Sequence, residues 1–184
     1  MDSEPRVYFD ACCFIDMVAH DLSIGVRRDR ASHVYYCRKF LEAARGKEAH
    51  VFTSTLTVAE CLGINDESDK NNHKLVLTDE VKRLFEGMLL SAKSGVMPVQ
   101  PTPRIVKSAR DLRWEHAATF KPMDSLHVAT AIDMKCGYCR HLHTQRRGQY
   151  SNHQHGQHHA PLHQALADKG NRGNRHGNGV QQQR

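Results

Sequence analysis

Residues 6–18 read Arg6-Val7-Tyr8-Phe9-Asp10-Ala11-Cys12-Cys13-Phe14-Ile15-Asp16-Met17-Val18, and this stretch decides the fold. Its first part is a short apolar run ending in an acid, which predicts a buried strand from Arg6 to Asp10. Its second part changes period. Phe14, Ile15, Met17 and Val18 recur as they would on a helix from Ala11 to His20. A buried strand that runs directly into a helix is the repeating unit of an α/β sheet.

The same alternation continues outward. Ser32 is expected to cap a helix through Arg45, with Val34, Tyr35, Cys37, Phe40 and Leu41 as its apolar stripe and Gly46 as its stop. His50 to Thr53 reads as a second strand. Ser54 or Thr57 opens a helix to about Leu62, ended by Gly63. Asn65 to His73 is polar and loop-like. Thr78 caps a helix from Asp79 to Ala92, on which Val81, Leu84, Phe85, Met88 and Leu89 keep helical spacing. Gly95 ends it, and Val96 to Val99 is a third strand. Thr102 and Pro103 start another helix, with Ile105, Val106, Ala109 and Leu112 apolar. After Lys121-Pro122, Met123 to about Lys135 forms a last helix. Strands separated by helices imply a parallel sheet covered on both faces. Chemistry in such a sheet is expected beyond the carboxyl ends of its strands.

Composition bounds the rest. The chain has 184 residues, 39% hydrophobic and 25% charged, which suits one globular domain. No apolar run reaches the roughly 18 residues of a membrane span, and the opening MDSEPRVYFD lacks a basic-then-apolar signal pattern. The six Cys have no framework spacing, so a reducing, cytoplasmic compartment is expected. Residues 1–138 balance 19 basic against 19 acidic side chains, whereas residues 139–184 carry 7 basic side chains and one acid, Asp168. Eight of the 14 His also fall in that last segment. Two parts follow: a domain over 1–138, and a tail over 139–184 rich in His, Gln, Arg and Gly, expected to be disordered.

Three carboxylates stand at element junctions. Asp10 ends the first strand, Glu60 lies in the helix after the second strand, and Asp124 opens the last helix. Acidic side chains converging at one sheet edge suit a hard cation such as Mg²⁺ or Mn²⁺, which can activate water for attack at phosphorus. Each acid also has a structural reading. Asp10 can cap the following helix, Glu60 can complete a capping box with Thr57, and Asp124 can favour its own helix N-terminus. His127, one turn after Asp124, can hold a carboxylate by hydrogen bonding or simply pack as a helix histidine. Asp16 is placed near the groove mouth. Ser54 suits either a helix cap or the positioning of water or phosphate.

Three segments carry a resemblance. VYFDACCFIDMV (7–18), TSTLTVAECL (53–62) and KPMDSLHVATA (121–131) are similar, in order, spacing and element type, to the motifs of the PIN-domain ribonucleases. The resemblance covers about residues 5–138. It implies a PIN-like fold, with Asp10, Glu60 and Asp124 as catalytic, Mg²⁺- or Mn²⁺-ligating residues of an endoribonuclease. It further implies a toxin of a toxin–antitoxin pair, with RNA as substrate, an antitoxin protein as partner and a homodimer as assembly. Arg27, Arg28 and Arg30 would approach the RNA backbone or serve as a solvated loop.

The family pattern continues with a strand entering a segment that supplies a fourth acid. Here the chain reads Cys136-Gly137-Tyr138-Cys139-Arg140-His141-Leu142-His143 instead. Codons permitted from Arg140 onward, read one nucleotide later, spell Asp-Thr-Phe-Thr-x-(Asn/Ser)-Asp-Glu. A frame shift near Tyr138 or Cys139 is therefore inferred, with the last strand or strands missing, an edge bared on the first strand, and activity impaired. Two other readings belong to this end of the chain. Cys136, Cys139, His141 and His143 make C-x₂-C-x-H-x-H, whose Cys spacing suits zinc but whose Cys-to-His spacing is tighter than a finger's. The basic, His-rich tail alternatively makes the protein a non-catalytic nucleic-acid- or metal-binding one.

Overall fold

The computed structural model describes residues 4–24, 30–66, 74–116 and 120–140. The chain divides into two units, Met1–Gln145 and Arg146–Arg184, and every described residue lies in the first. Expectations for Arg27, Arg28, His141, His143 and the rest of the tail fall outside the described residues.

The elements run β1 (Arg6–Phe9), α1 (Ala11–Asp21), α2 (Ala31–Arg45), β2 (His50–Ser54), α3 (Leu56–Glu60), β3 (Ile64–Asp66), β4 (Lys74–Val76), α4 (Asp79–Leu89), β5 (Val96–Val99), α5 (Pro103–Glu115), α6 (Pro122–Asp133) and β6 (Tyr138–Arg140). Four strands form a parallel sheet in the order β5-β2-β1-β6, and β3 and β4 form a separate antiparallel pair. The expected α/β architecture with a parallel sheet is what the chain adopts. A last strand is not missing. β6 lies across the expected 138/139 boundary and pairs with β1, Val7 opposite Tyr138 and Phe9 opposite Arg140. β1 is therefore paired on both sides, with Val7 opposite Val51 on the other.

Alternate residues of β1 serve opposite layers, as the two-residue period of a strand requires. Phe9 meets the rings of Phe14 on α1 and Phe40 on α2, with ring centroids 6.0 and 6.5 Å away. Tyr8 packs instead with Phe52 and with Ala131 of α6. On the α5–α6 side, Ile105, Ala109 and Ala129 make a second cluster. Val7, Tyr8 and Phe9 are all fully buried. Each such side chain contributes about 1.5–3 kcal/mol by leaving water, so β1 anchors both layers.

Local signals set the helix starts. Asp10 accepts the N–H of Cys13, Thr78 that of Val81, and Thr102 that of Ile105. Pro103 occupies the first turn of α5, where its missing N–H costs nothing. Ser32 is not a cap: α2 starts at Ala31 after Arg30, without a side-chain cap bond. Asn65 to His73 reads as loop in the sequence, yet Ile64–Asp66 pairs with Lys74–Val76.

Gly95 turns the chain from α4 into β5 with φ +80°, and an added Cβ would sit 3.1 Å from both Ala44 Cβ and Arg45 N. Positive φ and this close approach both require glycine. Gly95→Ala is expected to cost about 1–3 kcal/mol, read as a lower urea midpoint with an unchanged slope. An unchanged midpoint would show that neither constraint is real.

Candidate functional site

The carboxyl ends of β1 and β2 hold the first two acids. Asp10 follows β1, is 2% exposed, and receives the Cys13 N–H at 3.4 Å and the Cys13 thiol at 3.6 Å on Oδ1. Its role as a cap of α1 is thus realised. Glu60 does not form a box with Thr57, whose hydroxyl instead accepts from Thr53 at 2.9 Å. Glu60 Oε2 lies 2.7 Å from Nε2 of His127. Asp124 sits in the first turn of α6, one turn before His127.

A buried relay joins these elements. The N–H of Ser54 donates to the Tyr8 hydroxyl at 3.0 Å, and that hydroxyl lies 2.7 Å from Nδ1 of His127. With the phenol donating to Nδ1, the ring hydrogen of a neutral imidazole resides on Nε2 and points at Glu60. His127 therefore holds Glu60. Ser54 also accepts the N–H of Leu56 at 3.2 Å, the cap-like role expected of it. Asp16 pairs with Arg30 at 2.7 Å.

Thiols report the field of this cleft. Cys12 is pushed up to about 12, first by burial and then by Asp10 and Asp16, with Arg30 opposing and Glu60 adding. Cys61 is pushed to about 12 by burial, Glu60, Asp10 and Cys12. Cys13 is raised well above its ordinary value by burial, then by its hydrogen bond with Cys37, with Asp10 adding. Asp10 and Glu60 thus both act on Cys12 and on Cys61, and Asp16 acts on Cys12 as well. Asp124 stands on the helix that carries His127, one turn before it. Among the described residues, the His/Cys/Asp/Glu trio whose ligand atoms all lie within 4.8 Å of one another is Cys13, His33 and Cys37, not the three acids. Sequence reading missed that trio. Its only linear trace is the four-residue spacing of His33 and Cys37 on one helix face.

Cys136 stands at the opposite, amino end of β1 and β6. Its N–H donates to the carbonyl of Ala131, and the next N–H, of Gly137, to the carbonyl of Arg6, both at 3.0 Å. It packs against Tyr8, Phe52 and Ala131. Burial pushes its thiol up to about 11, and Arg6 pulls it back. Of Cys12, Cys13, Cys61 and Cys136, only Cys136 has no carboxylate acting on it. The Arg6 guanidinium is held over the Phe52 ring at 4.6 Å, with its Nε donating to Met134 O at 2.7 Å. Cys139 lies in β6, opposite Tyr8 in the register.

No family model matches the chain. Two curated relatives do match in part. The chain is 34% identical over 77 residues to the thiol:disulfide interchange protein DsbC of Dickeya dadantii, covering 41% of this chain and 32% of that protein. It is 31% identical over 74 residues to the DsbC protein of Salmonella typhimurium, covering 40% and 31%. The chain thus spans about a third of the length of the curated relatives it matches.

These names overturn the resemblance to PIN-domain ribonucleases. The metal-dependent endoribonuclease, the toxin role and the frame-shifted ending inferred from that resemblance are corrected with it, and RNA, antitoxin and homodimer lose the support it lent. The tail-based binding alternative gains nothing, since the relatives are named for thiol chemistry and the tail lies outside the described residues. The physical reason for the correction is specificity. An acid at a strand–helix junction also serves a helix start or a histidine, as Asp10 and Glu60 do here. Among the described residues, no helix is long and apolar enough to cross a membrane.

Tyr8→Phe removes the oxygen shared by Ser54 and His127. Leaving buried polar groups unmatched costs about 1–3 kcal/mol, so the urea midpoint should fall although the ring and its packing remain. A variant as stable as the parent would show that the relay holds nothing together.

Proposed function

We propose that the chain exchanges dithiols and disulfides through Cys136-Gly137-Tyr138-Cys139. The observation that carries this reading is the C-x-x-C spacing, a redox arrangement in an α/β setting, at a junction where Cys136 is influenced by a cation and by no carboxylate. The names of the two partial relatives support it.

Exchange proceeds by attack of one thiolate on a substrate disulfide, which breaks that S–S bond and forms a mixed disulfide. The second thiolate then displaces the substrate sulfur. With the start of β6 unpaired from β1 so that the two sulfurs can meet, a Cys136–Cys139 disulfide forms, and two electrons and two protons pass to the substrate. With its thiol near 11, Cys136 is on the order of one part in 10⁴ thiolate at pH 7. It suits the second, resolving step, where the mixed disulfide supplies a high local concentration. The first attack is then assigned to Cys139. In the reducing, cytoplasmic compartment expected from the cysteine pattern, the pair stands as a dithiol and acts as a reductant.

A second element of the proposal keeps Asp10, Glu60 and Asp124 as the place for Mg²⁺ or Mn²⁺, which requires carboxylates that do not all lie within 4.8 Å of one another to close on the ion. It is favoured by the joint negative field of Asp10 and Glu60 on Cys12 and Cys61. Asp10→Asn keeps a capping oxygen and removes the charge. Millimolar Mg²⁺ should therefore raise the thermal midpoint of the parent and not of this variant, and an equal rise in both would remove the acids from any cation site.

The exchange reading is tested with insulin as the disulfide substrate and dithiothreitol as the electron source. The chain should shorten the delay before insulin precipitates, while Cys136→Ser and Cys139→Ser should each return it to that of dithiothreitol alone. Alkylation of Cys136 in the intact chain should rise about tenfold per pH unit up to pH near 11, and Arg6→Ala should slow it at any lower pH. Equal insulin reduction by the Ser variants would refute the exchange.

A further inference from the structure

A second thiol-bearing group lies between α1 and α2, away from Cys136. Cys13 is in the first turn of α1, and His33 and Cys37 stand one turn apart on the face of α2 that packs against α1. His33 Nε2 is 3.9 Å from Cys13 Sγ and 3.5 Å from Cys37 Sγ. The three ligand atoms all lie within 4.8 Å of one another, and the side chains are 0%, 7% and 1% exposed for Cys13, His33 and Cys37. From these positions we propose that Cys13, His33 and Cys37 form a zinc-binding site in the α1–α2 layer.

The spacing fits the ion. Zn²⁺ binds thiolate at about 2.3 Å and imidazole at about 2.0–2.1 Å in tetrahedral geometry, which places sulfur and nitrogen about 3.6 Å apart. The two observed S···N distances lie on either side of that value. Two sulfurs and a ring nitrogen supply three of the four donors of tetrahedral zinc, with the fourth position left to water or another ligand. A hard cation such as Mg²⁺ takes oxygen instead.

The surroundings also fit. His33 turns Nε2 to both sulfurs, so its other nitrogen faces away, and Nδ1 lies 3.5 Å from Asp16 Oδ2. A carboxylate hydrogen-bonded to the far nitrogen is the usual support of a metal-binding histidine; here the two atoms stand at 3.5 Å with no hydrogen bond between them, so that bond would close as the ion binds. Asp16 is itself fixed by Arg30, whose Nη1 donates to Oδ1 at 2.7 Å. This gives the Asp16–Arg30 pair a task that the anionic cleft does not need.

Binding balances without a redox partner. Two Zn–S bonds form as two S–H bonds break, and two protons leave to solvent. Two thiolates cancel the charge of Zn²⁺, and the proton lost from Cys13 is the one its thiol now directs at Asp10 Oδ1, 3.6 Å away. The site would pin α1 to α2, the pair on which Phe9 rests through Phe14 and Phe40.

The test uses the full chain carrying Cys136→Ser and Cys139→Ser, so that neither exchange thiol can ligate and failure of the exchange reading leaves this one standing. Zinc X-ray absorption should show two sulfurs at about 2.3 Å and an imidazole nitrogen. A shell of nitrogen and oxygen alone would place the ion on the His-rich tail and overturn the proposal. Adding Cys37→Ser should remove one sulfur, whereas adding Cys12→Ser and Cys61→Ser should remove none. The reverse pattern would assign the sulfurs to the other cysteines and equally overturn it. Asp16→Asn leaves all three ligands in place and should weaken zinc binding about 10- to 100-fold. An unchanged affinity in that variant would count against the arrangement around His33.

Discussion

The phenol oxygen of Tyr8 is the point on which the structure turns. Tyr8 sits in the middle of the sheet, on a strand paired on both sides, and is wholly buried. Its ring fills the layer between the sheet and α6, while its hydroxyl reaches the end of β2 at Ser54 and the His127 ring. A polar atom at that depth is tolerated only where it is matched. The matching fixes the position of β2 relative to α6, and through His127 it fixes Glu60. Phenylalanine would supply the same packing but no such register between elements that are far apart in the chain.

This arrangement separates two electrostatic environments along one sheet. At the carboxyl ends of β1 and β2, Asp10, Asp16 and Glu60 suppress ionisation of Cys12, and Asp10 and Glu60 suppress that of Cys61. At the amino end, Arg6 is the charge that acts on Cys136, and it acts in the opposite sense. A thiolate is costly wherever burial or carboxylates surround it. The fold thus raises the thiols of Cys12 and Cys61 further than that of Cys136, which burial still holds above its ordinary value.

Much of the architecture was legible because it rests on local physics. The strand-to-helix change of period after Asp10, and the caps at Asp10, Thr78 and Thr102, are short-range signals, and the structure uses all of them. β6 was not legible. Its three residues form no apolar run, and they become a strand by pairing with β1. The β3–β4 pair has the same origin, since Asn65 and Lys74 are polar residues that extend only because they face each other's strand. The Cys13, His33 and Cys37 group joins two helices. Within α2, Cys37 reads as one more apolar residue of the stripe, and only the packing of α1 reveals what it faces.

The acids show why a pattern of chemistry-bearing residues can be legible without being decisive. Helix N-termini attract carboxylates through unpaired N–H groups and the helix dipole. A parallel sheet places helix starts beside one another at the carboxyl ends of its strands. Any such fold therefore tends to gather acids there, whatever its activity. Asp10 caps α1 and Asp124 sits in the first turn of α6, so both positions are accounted for before a cation is considered. Glu60 is different. It lies at the end of α3, where the dipole disfavours it, and it is held from a distant element by a buried histidine. That relay must be satisfied by tertiary structure and has no local benefit to explain it, so Glu60 carries more weight about the cleft than the two acids that matched a motif at helix starts.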